Sequence, residues 1–230
     1  TTTNLPRTRV DIHQLNGAAY QFVLCTATDD KGLYKFWTNS EYLKPERKTY
    51  VIATLQYMPT RQLPPVIYVM NETQFGDNVL PKNPNALISN GKLSSGFTIK
   101  NDQDFKQNIT FSGVEGGLAY QTLIDLYNYH KELNTAPKLV VVNINDNDGD
   151  NINDNAAYPY QNAYTIHLAP GKLGGTTDPF TIGHEFTHIV ERGWIPVYFG
   201  HNPLVPVEEG SCHWGSCIAL ATPILEFEDC

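Results

Sequence analysis

Five residues, His184-Glu185-Phe186-Thr187-His188, constrain this chain more than any other stretch. The pattern H-E-x-x-H carries chemistry only on a helix. Residues four apart share one helix face, so both imidazoles can reach a single Zn²⁺. Glu185 then stands beside the first ligand. There its carboxylate can take a proton from a water polarised by the metal and pass it to a leaving amine. With 7 His in 230 residues, chance supplies the pattern about 0.01 times. Ile182, Gly183 and Ile189 around the motif describe a helix sunk among apolar neighbours, where two histidines need partners. The plain alternative is a surface helix that happens to carry two histidines.

A catalytic zinc needs a third protein ligand and an open position. Glu191-Arg192-Gly193-Trp194 follows the motif, so the short continuation His-x-x-Gly-x-x-His is absent. Glu208 and Glu209 come next. A carboxylate from a following helix completes a two-His, one-carboxylate set. Glu209 is preferred, because Gly210 after it permits close approach of the helix. Glu208 stays open as the alternative. Both residues also suit the first turn of a helix for electrostatic reasons alone.

The rest of the chain divides at about residue 112. Residues 1–112 read as a β-rich region, antiparallel in pattern, with strands near Ala18–Leu24, Thr49–Leu55 and Val66–Met70. Residues 113–230 read as the catalytic region. Its first helix spans Leu118 to Leu133, with Tyr120, Leu123, Ile124 and Tyr127 on one face. Strands are expected at Lys138–Ile144 and Asn162–Leu168, the motif helix from Phe180, and a third helix from Val207 to Ala221. The fold class is therefore α+β. The formal charge of −8 argues against a nucleic-acid partner, which needs a clustered basic surface. No run of 18 apolar residues offers a membrane span.

The order of these pieces resembles the thermolysin-like zinc metallopeptidases, of the gluzincin group. Gly183-His184-Glu185-Phe186-Thr187-His188 is similar to that family's Gly-His-Glu-x-Thr-His helix. The Tyr-rich helix Gly117–Lys131 resembles the one before its active-site sheet. Asn162-Ala163-Tyr164-Thr165 resembles its Asn-Ala-aromatic edge strand, and Glu209-Gly210 its ligand site. The resemblance covers about half the chain, from Gly113 to Ala221. It implies a zincin-like catalytic region and an endopeptidase that binds an extended peptide or protein substrate by strand addition. His184, His188 and Glu209 would hold Zn²⁺, Glu185 would be the general base, and Asn162, Ala163 and Tyr164 would line the cleft.

This sequence departs from the family at two places. The family sets an Asp four residues after the ligand Glu, to hold a zinc-bound His; His213 stands there, or Cys212 if Glu208 is the ligand. The family's oxyanion-stabilising His comes from a C-terminal helical domain, for which the chain offers Tyr198, His201 and His213 as local candidates. Of these, His201 is the expected transition-state donor. The shortness of the chain after Glu209 keeps a second expectation open: a catalytically weak or inactive zinc-binding relative that acts as a peptide-binding or adhesion module.

Two further expectations concern ions and compartment. Asp146, Asp148, Asp150 and Asp154 cluster around Gly149 as hard oxygen donors suited to Ca²⁺, although the register is not that of an EF-hand; a solvated Asn/Asp turn is the alternative. Four cysteines (Cys25, Cys212, Cys217 and Cys230) and two sequons, at Asn71 and Asn108, suit a secreted protein with two disulfides of open pairing; chance sequons and a free-thiol cytosolic protein are the alternatives.

Overall fold

A computed structural model describes residues 4–36, 43–60, 64–71, 91–99, 108–144, 155–160, 163–170 and 175–194. Among them the chain is mixed α+β. It forms two compact units, Thr1–Val66 with Ser89–Phe111, and Ile67–Ile88 with Ser112–Cys230.

The first unit is antiparallel. Strands β1 (Thr8–Asn16) and β2 (Ala19–Ala27) form a hairpin, and β3 (Lys48–Tyr57) pairs with the other edge of β1. The hairpin closes through Gly17, whose φ of 63° suits a two-residue turn that L side chains rarely make. Short β5 (Gly91–Leu93) and β6 (Phe97–Thr98) pair with β3. Alternation along β1 turns Val10 and Ile12 into a core with Leu43, Val51 and Ile99, while Arg9, Asp11 and His13 face outward. Gln14 is buried in the same row. It stays there because its amide donates to Lys44 O (2.8 Å) and Thr49 Oγ1 (3.0 Å), and its carbonyl accepts from Lys44 N (2.9 Å).

The second unit is built on a different plan. Strands β4 (Ile67–Asn71), β7 (Val140–Ile144), β8 (Ala156–Tyr160) and β9 (Ala163–Leu168) lie in the order β4-β7-β9-β8. The pairs β4/β7 and β7/β9 are parallel, and β8/β9 is antiparallel. The apolar run Val66–Met70 was expected within an antiparallel region; as β4 it instead pairs in parallel with β7. Among the described side chains of β4, β7 and β9, buried residues lie on both faces, as parallel sheets require. One row is wholly aliphatic: Ile67, Val69, Val140, Val142, Ile144, Ile166 and Leu168. The other holds Met70, Val141, Asn143, Thr165 and His167, with Asn143 Nδ2 3.3 Å from His167 Nδ1.

Two 16-residue helices complete the unit, α1 (Gly117–Glu132) and α2 (Pro179–Trp194), and they pack on each other. The expected face of α1 is buried: Tyr120, Leu123, Ile124 and Tyr127. The helix ends in a Schellman motif. Asn134 adopts φ 57°, its N–H donates to Lys131 O, and Thr135 N–H donates to His130 O (2.8 Å). The third helix expected at Val207–Ala221 lies outside the described residues.

Candidate functional site

The start of α2 is set by local chemistry. Asp178 is its N-cap: Oδ1 accepts from Phe180 N and Oδ2 from Thr181 N, both at 3.2 Å, and the Thr181 hydroxyl also donates to Oδ2. Pro179 fills the first helical position, where a missing N–H costs nothing. The chain entering this cap is pinned to the end of β9. Ala169 N donates to Asn155 Oδ1 (2.9 Å), and Thr176 Oγ1 donates to Leu168 O (3.1 Å). Gly175 lies so close to Asn155 that a Cβ there would overlap its side-chain oxygen. These contacts fix where the motif helix begins.

Along α2, Ile182, Phe186, Ile189 and Val190 are buried. His184, Glu185 and His188 occupy a neighbouring stripe of the helix; Glu185 and His188 are each 5% exposed and His184 is half-buried. Thr187 turns its hydroxyl back to Gly183 O at 2.8 Å, which satisfies it without a partner from another element. The two imidazoles meet edge to face, ring centroids 4.7 Å apart, with Nε2 of His184 3.1 Å from Nε2 of His188. Two nitrogens bound at 2.0–2.1 Å to one tetrahedral zinc would stand about 3.3 Å apart. The pair thus already has close to the separation that one metal ion requires.

Among the described residues no group of three His, Cys, Asp or Glu side chains converges. The third-ligand candidates, Glu208 and Glu209, lie outside the described residues. So do His201, Tyr198, His213, Asn162, and the Asp146, Asp148, Asp150 and Asp154 cluster. Cys25 is a free, exposed thiol on β2, which departs from the expectation of two disulfides; Cys212, Cys217 and Cys230 are also outside.

The expected substrate strand needs correction. Ala163 and Tyr164 begin β9, and β9 is not an edge. β7 pairs with one side of it, from Tyr164 to Leu168, and β8 with the other, from Ala163 to His167. Its backbone donors and acceptors are engaged within the sheet, so no peptide can add along it. Among the described residues the free edge belongs to β8, the last strand in the order, against which α2 also packs. Pro159 in β8 agrees with this, since a residue without an N–H belongs on an edge strand. Sequence reading missed β8 because Ala156-Ala157-Tyr158-Pro159-Tyr160 lacks β-branched residues. It also missed His130, whose ring lies 5.6 Å from that of Phe186.

No family model, curated protein or solved structure matches the chain.

Proposed function

We propose that the chain is a secreted zinc-dependent endopeptidase with its active site on α2. The observation that carries this reading is the His184–His188 pair, Nε2 to Nε2 at 3.1 Å, with the buried Glu185 on the same helix. His184 and His188 would hold the ion, with Glu209 as the third ligand and Glu208 the alternative. A zinc ion held there supplies Lewis acidity toward the scissile carbonyl and makes water a usable nucleophile near neutral pH. Glu185 takes the proton of that water and returns it to the leaving amine. Glu185 is buried on the same helix as the two histidines. His201 is the proposed donor to the developing oxyanion.

The peptide substrate is proposed to add as a strand along β8, the last strand in the order β4-β7-β9-β8. Main-chain pairing holds the peptide extended whatever its sequence, and side-chain pockets select the residue at the cut. Calcium at Asp146, Asp148, Asp150 and Asp154 remains part of the same reading.

The test is Glu185→Gln, assayed for zinc content and for hydrolysis of a mixed peptide library. Zinc retained near one per chain with hydrolysis lost by 10²-fold or more is the expected result. Retained hydrolysis removes Glu185 from its role, and a wild-type chain that binds no zinc removes the whole reading.

A further inference from the structure

His130 stands third from the end of α1, inside the Schellman motif that closes it. Only 8% of it is exposed. The Thr135 hydroxyl donates to the His130 carbonyl (3.1 Å) and also lies 2.8 Å from the His130 ring at Nδ1. A hydroxyl has one proton. If the carbonyl takes it, Nδ1 must carry the ring proton and donate to Oγ1. Nε2 is then a bare acceptor, buried and with no hydrogen-bond partner among the described residues. The ring packs beside Tyr129 (centroids 5.2 Å) and against Phe186 (5.6 Å), the residue between the two motif histidines.

We propose that His130 is a pH-sensitive latch between the two helices: neutral, it seats α1 on the motif helix through Phe186, and protonated at Nε2 it weakens that contact. A proton on Nε2 would create a buried cationic donor with no acceptor among the described residues. The cost of burying an unpaired charge exceeds that of leaving a neutral acceptor unpaired.

The surroundings offer little compensation. The described side chains at and along α2 carry Asp178, His184, Glu185 and His188 as titratable groups; β4 carries only Tyr68, and the 3-10 turn Gly175–Thr177 carries none. On α1 the neighbours are Tyr127, Tyr129, Lys131 and Glu132. The end of a helix favours a cation, but burial outweighs it and holds the imidazole below its ordinary value. In the unfolded chain the ring titrates near 6.5. Between that pH and the lower folded value the unfolded state binds the extra proton. Stability from this group is therefore fully present above about pH 6.5 and is lost as pH falls through the folded value, by up to tenfold per pH unit in the folding equilibrium.

Two measurements on the full chain, stripped of metal by a chelator, test this independently of the zinc reading. Ring-nitrogen NMR should show His130 as the Nδ1–H tautomer at neutral pH, titrating below 6.5. An Nε2–H tautomer, or titration at 6.5 or above, overturns the proposal. Urea unfolding from pH 7.5 to 4.5, compared between wild type and His130→Phe, should show an extra decline in the wild type only below about pH 6.5. Parallel curves overturn it as well. Should His130→Phe not fold, Thr135→Val serves instead: it removes the Nδ1 acceptor and should shift the tautomer balance, and an unchanged tautomer counts against the latch.

Discussion

The site depends on a few residues whose roles differ in how plainly a sequence displays them. His184 and His188 were legible because a fixed chemical spacing coincides with a fixed helical one. The proposed third ligand was not, because no local spacing separates Glu208 from Glu209. A metal-content assay resolves that pair: Glu209→Ala should lower zinc occupancy far more than Glu208→Ala, and an equal or reversed effect moves the ligand to Glu208. Gly175 is the opposite kind of residue, silent in sequence and decisive in the fold. Because a Cβ there would overlap Asn155 Oδ1, Gly175→Ala must displace the side chain that holds Ala169 N. It should cost about 1–3 kcal/mol in a urea titration, as overpacking does. A cost near zero would mean the Asn155 anchor moves freely and does not set the start of α2.

Among the elements, α1 and α2 were legible because an apolar face repeats every 3.6 residues, and the buried faces are the expected ones. Strand order was not legible. Pairing partners are chosen by the whole chain, so Ala163–Leu168 read as an edge strand and proved to be an interior one. A signal for the parallel part was nonetheless present. Val66–Met70 and Leu139–Val142 are continuous apolar runs without alternation, as strands buried on both faces tend to be. β2 raises a separate issue. It ends the first unit's sheet, carries no charged residue and no proline, and exposes Tyr20 (52%) and Phe22 (50%). Edge strands are ordinarily blunted by such residues to prevent edge-to-edge association. Phe22→Lys should therefore reduce concentration-dependent light scattering of the protein. Unchanged scattering would show that this edge is not where copies meet.

At the scale of the whole molecule, every proposed zinc ligand belongs to one of the two units. His184, His188 and Glu209 all fall within Ser112–Cys230, and the first unit contributes none of them. A change of texture near residue 112 was legible in the sequence, whereas the compact units also break at Ile67 and Ser89. The inclusion of β4 in the second unit was not, since it depends on pairing with β7 across a long stretch of sequence. Metal linkage gives this arrangement a measurable form. A ligand that binds only the folded state stabilises it by RT ln(1 + [L]/Kd), about 2.7 kcal/mol when free zinc is 100 times Kd. That gain should appear where the ligands are anchored. In hydrogen exchange with and without a chelator, amides of α2 and β9 should gain up to about 100-fold in protection from zinc, with the β1–β3 amides as the internal reference. Equal gains in both sets would mean that the zinc stabilises the chain as one cooperative body. No gain in α2 would mean that His184 and His188, despite their 3.1 Å separation, share a proton and not a metal.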